Sequence, residues 1–315
     1  MTAPVKWDAS HIPSLKDKTA IVTGANTGIG FATALRLAEH GARVIVACRS
    51  EERGRQAVKE MQAELDAQPK QAGGSVEFMK LDLSSMAGTR RFAEDFNGQF
   101  NRLDLLINNA AVVSPSEPLT VDGVESQFAV NHVNAFLLTT LLFGKLKASP
   151  AARVVSVSSD VHQMSNIDFP TLVTGTDKLF GRYARSKLAN LLFTYELGRR
   201  LESARVSNII SVSAHPGTTA TTAIDKAIDA QFPGWLSGIS KTLFSWVPKK
   251  TPDMGALPIL YAATAEDVRN SEFFGPTGKR GHPGRDKSHA MSHSKEDAKQ
   301  LWELCEELTK TSFNV

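Results

Sequence analysis

The 315-residue sequence contains only two cysteines, Cys48 and Cys305, which lie far apart along the chain. So few cysteines exclude a disulfide-stabilised secreted scaffold and favour reduced thiols in a cytoplasmic protein. The sequence also lacks an excess of charge of one sign, since 36 basic residues accompany 33 acidic ones and the net charge is +3. This weakly basic balance argues against nucleic acid as a partner.

A long apolar run is also lacking. The longest apolar stretch covers residues 133–146 and includes Asn134, whereas a membrane-spanning helix needs about 20 predominantly apolar residues. Residues 1–17 carry charged side chains and two prolines, which is unlike the composition of a secretory signal. We therefore expect a cytoplasmic protein without a transmembrane segment.

The chain is rich in short apolar runs that alternate with helical patterns, and 42% of its residues are hydrophobic. Near-continuous apolar strands are typical of a parallel sheet covered by helices on both faces. The pattern predicts an α/β fold, with one doubly wound domain over residues 1–315 and a parallel sheet of about seven strands. Predicted strands lie at 18–23, 43–48, 76–81, 103–108, 153–158, 206–214 and Phe273-Phe274. Predicted helices lie at 30–40, 50–67, 85–96, 121–148, 183–201, 253–263 and 295–308.

A glycine-rich loop follows the first predicted strand and opens the first predicted helix. It reads TGANTGIG over residues 23–30, a longer spacing than the GxGxxG fingerprint. Gly24 permits a tight turn, Gly28 a close approach of backbone to a pyrophosphate, and Gly30 close packing of helix on strand. Free N–H groups at the helix N-terminus attract the anion. The loop predicts a Rossmann-type dinucleotide site that uses Gly24, Asn26, Thr27, Gly28, Ile29 and Gly30.

The second predicted strand ends on a cation where NAD-binding proteins usually carry a carboxylate. An Asp or Glu in that place holds the ribose 2′-hydroxyl of NAD, but this chain has Arg49 followed by Ser50. A guanidinium fork fits a 2′-phosphate, and Ser50 adds a hydroxyl donor. The sequence therefore favours NADP(H) over NAD(H). A solvated surface arginine is the alternative interpretation.

Four motifs in order resemble the short-chain dehydrogenase/reductase family: TGANTGIG, Asn108-Asn109-Ala110-Ala111, Tyr183-x-x-x-Lys187 and His215-Pro216-Gly217. The stretches ACRS, LDLSS and YARSKLANLLFTYEL are most similar to its retinol-dehydrogenase-like branch. The resemblance implies a catalytic tetrad of Asn131, Ser159, Tyr183 and Lys187. Further cofactor contacts are implied for Asp82, Leu83, Asn109, Ala110, Tyr183, Lys187, Pro216, Gly217, Thr218 and Thr221. Family members are often dimers or tetramers, which implies a homodimer or homotetramer here.

The tetrad residues suit a reaction that builds negative charge on an oxygen. Tyr183 and Lys187 are four residues apart, so a helix places them on one face. Tyr183 would donate a proton to a carbonyl that receives a hydride, and the ammonium of Lys187 is expected to lower the pKa of that phenol. Ser159 would hydrogen-bond the substrate oxygen. Asn131 would hold a water that links Lys187 to solvent, or shape a kinked helix.

Two segments outside the motifs are predicted to shape the substrate pocket. Residues 162–182 lengthen the spacing between Ser159 and Tyr183 beyond that common in the family. Residues 217–250 contain many large apolar side chains and follow the sixth strand, where an α/β site forms. We predict a substrate lid there, with core packing, a dimer contact or a membrane-surface contact as alternatives.

The histidines of the C-terminal basic segment do not predict a metal site. His289 and His293 have a spacing that suits a metal, but neither they nor His282 have an evident further ligand nearby. A solvated basic tail is the expectation, and no metal is predicted.

Together these patterns predict an NADP(H)-dependent oxidoreductase that interconverts a small apolar ketone or aldehyde and its alcohol. One alternative is reduction of a C=C bond, because protochlorophyllide reductases resemble this branch. Another is a cofactor-sensing protein without catalytic turnover.

Overall fold

The computed structural model describes residues 6–67, 73–113, 115–176, 178–217, 251–277 and 281–315. The strands in these ranges are β1 (Thr19–Thr23), β2 (Arg43–Cys48), β3 (Ser75–Lys80), β4 (Leu105–Asn108), β5 (Ala152–Val157), β6 (Ile209–Ala214), β7 (Phe273–Thr277) and β8 (His282–Arg285). They form one eight-stranded sheet in the order β3-β2-β1-β4-β5-β6-β7-β8. The first seven strands are parallel, and β8 pairs with β7 in the antiparallel direction.

Helices lie on both faces of this sheet. They are α1 (Gly28–Glu39), α2 (Glu51–Ala67), α3 (Met86–Gln99), α4 (Ser126–Phe128), a π-helical turn (Ala129–Val133), α5 (Asn134–Lys147), α6 (Phe169–Thr174), α7 (Leu179–Ser203), α8 (Pro252–Thr264) and α9 (Lys295–Thr309). One buried core lies under α3, α5, α7 and α9, and a second lies under α1 and α8. Successive residues of β1 serve the two cores in turn, because strand side chains alternate between faces: Ile21 joins the first core and Val22 the second.

The predicted doubly wound α/β fold is confirmed, with eight strands in place of about seven. The additional strand, β8, lies in the segment that we expected to be a solvated basic tail, and that expectation was wrong. A Pro and a Gly within His282–Arg285 hide the strand from a periodicity argument. Tertiary contacts form it nonetheless: His282 Nδ1 lies 3.3 Å from the carbonyl oxygen of Trp7, and the ring of His293 stacks on Tyr195.

The helix predicted over 121–148 begins later, at Ser126, and contains the π-helical turn. It begins there because the Glu125 carboxylate accepts the N–H of Phe128 and so caps the first turn, while Gly123 turns the preceding chain with a φ of 76°. Segment 162–182 contains the end of a short 3-10 turn and α6.

Aromatic rings fill the core between α5, α7 and α9. The ring of Phe136 lies 5.1 Å from Trp302, 5.7 Å from Phe193 and 5.6 Å from Phe313, each in an edge-to-face arrangement. Phe136 is only 1% exposed. Such pairs add stability beyond the area that they bury, so this cluster fixes the helices that carry the site.

Phe136→Ala should lower the free energy of unfolding by about 3–5 kcal/mol, because the truncated ring leaves a cavity among three other rings. Urea unfolding followed by tryptophan fluorescence measures this change. Val121→Ala is the control: Val121 is 86% exposed, and its change should stay within about 0.5 kcal/mol. A loss below about 1 kcal/mol for Phe136→Ala would contradict the packing described here.

Candidate active site

The glycine loop lies where β1 passes into α1, at the point where the strand order reverses between β1 and β4. Gly24 and Gly28 have φ values of 67° and 59°, which favour glycine. Thr27 caps α1 without a side-chain hydrogen bond, so backbone N–H groups face outward at the helix end. A Cβ atom on Gly28 would meet no atom within 4 Å. The loop thus leaves open space for an anion above donor groups, which fits a pyrophosphate.

Gly30 and Asn109 hold this loop in shape. A Cβ atom on Gly30 would lie 2.5 Å from the carbonyl oxygen of Gly24 and 2.6 Å from Asn109 Nδ2, so no larger residue fits. Asn109 Nδ2 donates to the carbonyl oxygen of Thr23 at 2.8 Å, and the N–H groups of Asn109 and Ala110 donate to Thr23 Oγ1. The observed role of Asn109 is therefore to tie the end of β4 to the loop, and the predicted ribose contact stays a prediction.

The residues predicted to hold the adenine half follow β2 and β3 at the same edge of the sheet. Arg49 is exposed directly after β2, and Ser50 is half-buried beside it. Asp82 Oδ1 accepts hydrogen bonds from the Ser84 N–H and hydroxyl at 3.0 and 2.6 Å, and Leu83 is buried. The Arg49 guanidinium is thus placed at the solvent side of this edge, while the Asp82 carboxylate turns toward its own chain.

Ser159, Tyr183 and Lys187 come together where β5 ends against α7. The Ser159 and Tyr183 side chains are hydrogen-bonded to each other. Lys187 Nζ lies 5.6 Å from the centre of the Tyr183 ring and donates to the carbonyl oxygen of Val157 at 2.9 Å. Lys187 is 2% exposed, whereas Tyr183 is half-buried and keeps part of its surface accessible. The arrangement places two hydroxyl groups next to each other, with the Lys187 amine close to the Tyr183 ring.

Burial dominates the electrostatics of this pair. It raises the pKa of Tyr183 to about 12, although the hydrogen bond with Ser159 opposes the rise. It also lowers the pKa of Lys187 to about 7. The expected lowering of the Tyr183 pKa was therefore wrong, because burial of the phenol outweighs the opposing hydrogen bond with Ser159. Tyr183 is a neutral acid, and Lys187 titrates near neutrality.

Asn131 lies in the π-helical turn, and its side chain is engaged by the protein itself. Its Oδ1 accepts the N–H of Val112 at 2.7 Å, and its Nδ2 donates to the Val112 carbonyl at 3.0 Å and to Ser186 Oγ at 3.0 Å. These bonds join the chain after β4 to α7. The kinked-helix interpretation of Asn131 describes this arrangement, and its binding of a water stays a prediction.

Two histidines near the tetrad were missed as site residues. His132 Nδ1 lies 2.9 Å from Asn190 Oδ1, and burial lowers the pKa of this histidine to about 4, so it is neutral. His215, at the end of β6, lies between Asp160 and Asp286. No spacing in the sequence indicates either pairing, although the His215-Pro216-Gly217 motif marks the position.

The remaining predicted cofactor residues lie partly outside the described chain. Pro216 and Gly217 follow β6 at the carboxyl edge of the sheet and are half-buried. Thr218, Thr221 and the predicted lid from residue 218 onward fall outside the described residues. None of the helices described here is both long enough and apolar enough to span a bilayer.

Residues 18–231 match the short chain dehydrogenase family, and the chain belongs to the short-chain dehydrogenase/reductase family. It is 41% identical over 260 residues to dehydrogenase/reductase SDR family member 13 of Bos taurus, covering 82% of this chain and 65% of that protein. It is 38% identical over 302 residues to retinol dehydrogenase 13 of Homo sapiens, covering 92% of this chain and 83% of that one. The predicted resemblance to the retinol-dehydrogenase-like branch is confirmed.

A solved structure shares the fold over nearly the whole chain. It is that of an uncharacterized protein from Mycobacterium paratuberculosis, with a TM-score of 0.77 and 36% identity. The match covers 98% of this chain and 100% of the other. The conclusion about fold therefore rests on almost the full length of the sequence.

Gly30→Ala should weaken the binding of NADPH and of NADH alike by at least about tenfold, because the added methyl group displaces Gly24 or Asn109 and deforms the phosphate loop. Fluorescence titration measures both dissociation constants. Gly98→Ala is the matched control: a Cβ atom there meets nothing within 4 Å, in the exposed part of α3, so binding should not change. Unchanged binding by Gly30→Ala would show that the loop does not hold the dinucleotide.

Proposed function

We propose that this protein is an NADP(H)-dependent oxidoreductase that interconverts an apolar ketone or aldehyde and its alcohol. The observation that carries the proposal is the hydrogen-bonded pair of Ser159 and Tyr183 above Lys187, on the sheet edge that also holds the glycine loop. A proton donor, an oxygen-binding hydroxyl and a phosphate cradle on one edge are the parts that carbonyl reduction needs.

The dinucleotide would lie along the carboxyl edge, with its pyrophosphate at the N-terminus of α1. When bound, it supplies the hydride. Arg49 supports NADP(H), because it is exposed at the end of β2 where a 2′-phosphate would lie and no carboxylate occupies the position. The Asp82 carboxylate does not substitute for one, since it accepts both the N–H and the hydroxyl of Ser84.

The protein's own groups would handle the proton. Tyr183 is a neutral phenol, so it is suited to donate to an oxygen that gains negative charge, and Ser159 orients that oxygen through its hydroxyl. Lys187 would stabilise the resulting phenolate, since a nearby ammonium favours the charged form. Because the pKa of Lys187 is about 7, this side chain would lose its proton near neutrality and would then no longer stabilise the phenolate.

An apolar substrate is supported by two facts. Relatives named retinol dehydrogenases align over most of this chain, and their name refers to an apolar alcohol. Met164, in the segment that follows Ser159, is 79% exposed, so this segment presents an apolar side chain to solvent. We also propose a cytoplasmic location, which fits two free buried cysteines, and a homodimer or homotetramer.

Tyr183→Phe should lower kcat by at least about 1000-fold and leave NADPH binding within about threefold, because only the proton donor is lost. Steady-state rates with NADPH and a panel of bulky apolar carbonyls, with product analysis, measure this. Tyr261→Phe is the control: its hydroxyl bonds Asp267 on the surface, and the rate should not change. Full turnover by Tyr183→Phe would remove the phenol from the reaction and reopen the C=C reduction alternative.

Arg49→Ala should weaken NADPH binding about 10–100-fold and NADH binding less than about twofold, because only NADPH carries the 2′-phosphate. Fluorescence titration with both dinucleotides decides this. Arg55→Ala removes a cation from α2 that is paired with Glu51, and should leave both affinities unchanged. Equal losses for the two dinucleotides in Arg49→Ala would contradict a phosphate-binding role.

A further inference from the structure

A buried histidine next to the tetrad bridges two carboxylates. His215 is 3% exposed; its Nδ1 lies 2.7 Å from Asp160 Oδ1 and its Nε2 lies 2.8 Å from Asp286 Oδ2. Asp160 follows Ser159 directly, and Asp286 follows β8. A ring with an acceptor carboxylate on each nitrogen donates from both, which is the hydrogen-bond pattern of the charged imidazolium.

The Nδ1 atom of His215 has a second neighbour that requires the opposite state. The N–H of Gly217 points at Nδ1 from 3.2 Å. Only an unprotonated Nδ1 accepts that bond, and an unprotonated Nδ1 cannot donate to Asp160. The imidazolium therefore binds the Ser159–Asp160 turn, whereas the neutral ring binds the Gly217 backbone and keeps its Nε2–H on Asp286.

The sheet leaves room for the contact between His215 and Asp286. A Cβ atom on Gly275 in β7 would lie 1.9 Å from His215 Nε2 and 2.5 Å from Asp286 Oδ2, so glycine is required there. The ring of Phe273 stacks on His215 at 5.2 Å between centres and covers the ring face. The contact between His215 and Asp286 is therefore packed between Gly275 and Phe273.

The charged groups around His215 favour its protonated state. Burial opposes its protonation, but the hydrogen bonds and charges of Asp160 and then Asp286 outweigh burial and raise the His215 pKa. His162, from the turn after β5, has its pKa lowered first by burial and also by the His215 charge. His162 is neutral: its Nδ1 donates to the Ser159 carbonyl, and its Nε2 accepts the His289 N–H. Arg285 and Lys287, on either side of Asp286 in the sequence, are exposed cations on the β8 side, and Arg285 is paired with Asp267 and Glu272.

The same geometry argues against a metal ion. Asp160, His215 and Asp286 have ligand atoms within 4.8 Å of one another. However, the two carboxylates lie on opposite nitrogens of one ring, so they do not converge with a single nitrogen on a common point.

We propose that His215 is a positioning residue for the reaction. As an imidazolium it holds the turn that carries Ser159 against the end of β6, and on losing its proton it releases Asp160 and binds the Gly217 backbone of the cofactor-side loop. The sites of proton donation and of dinucleotide binding are thereby linked through one ring. This inference rests on the proposed function only for its effect on rate.

The first test does not require turnover. NMR titration of the full-length protein should give a His215 ring midpoint above 6.5, with the Asp160 and Gly217 amide signals shifting at the same midpoint. Asp286→Asn should lower that midpoint by about one pH unit, and Asp267→Asn, which changes a surface carboxylate bonded to Tyr261 and Arg285, should not move it. A midpoint at or below 6.5, or a Zn²⁺-dependent shift of the ring at stoichiometric metal, would overturn the proposal.

The second test follows rate and stability. The kcat should fall as pH rises through the His215 midpoint, and this limb should move to lower pH in Asp286→Asn, whereas a limb from Lys187 would stay in place. Because the folded pKa is raised, the difference in Tm between wild type and His215→Gln should be largest below pH 6.5 and shrink above the folded midpoint. Gly275→Ala, whose added methyl group would displace the His215 ring, should also lower kcat.

The outcomes separate the two proposals. A wild-type protein that binds NADPH but reduces no carbonyl contradicts the proposed function, while the amide and ring titrations still decide the role of His215. A turnover limb and amide shifts that stay unchanged in His215→Gln would overturn the positioning role, whatever the activity. A drop in Tm alone, equal at every pH, would also overturn it, because it would show only lost packing.

Discussion

The hydrogen bonds that converge on the carbonyl oxygen of Val157 hold the catalytic arrangement together. Lys187 Nζ and Asn190 Nδ2 donate to it at 2.9 and 3.1 Å, and Ser158 Oγ donates to the Lys187 carbonyl at 2.9 Å. A buried ammonium is costly unless its protons are bonded, so these contacts fix where α7 lies against β5. Tyr183 lies one helical turn before Lys187, and the same register therefore delivers its hydroxyl to Ser159.

Much of the fold could be predicted because burial leaves a mark in the sequence. Strands covered on both faces read as unbroken apolar runs, as in Arg43–Cys48, where each residue after Arg43 is buried. His282–Arg285 has no such pattern: of its four residues only Pro283 is buried, and the segment becomes a strand because β7 offers an unpaired edge. A strand of this kind forms only because a partner strand is present, so it cannot be predicted from its own residues.

The candidate site likewise has features that the sequence predicts and features that it does not. Motif positions such as Gly30 and Tyr183 were predictable because parallel strands bring their carboxyl ends to one edge, whatever the distance along the chain. The ionisation of Tyr183 was not predictable, since it depends on how far the fold buries the phenol. The contact of His215 with Asp286 joins residues 71 apart and has no periodicity from which to infer it.

The two basic groups near Ser159 show why partner identity decides charge in a buried site. Lys187 and His215 are almost equally covered, at 2% exposed for the whole lysine and 3% for the histidine side chain. Lys187 meets a neutral carbonyl, and burial lowers its pKa; His215 meets two carboxylates, which overcome burial and raise its pKa. With nearly equal burial, Lys187 loses its charge near neutrality, whereas His215 keeps its charge at a pH above the ordinary pKa of histidine. An argument from residue type alone assigns the wrong pKa to both side chains. The pKa of each is set by its surroundings: burial beside the Val157 carbonyl for Lys187, and the carboxylates of Asp160 and Asp286 for His215.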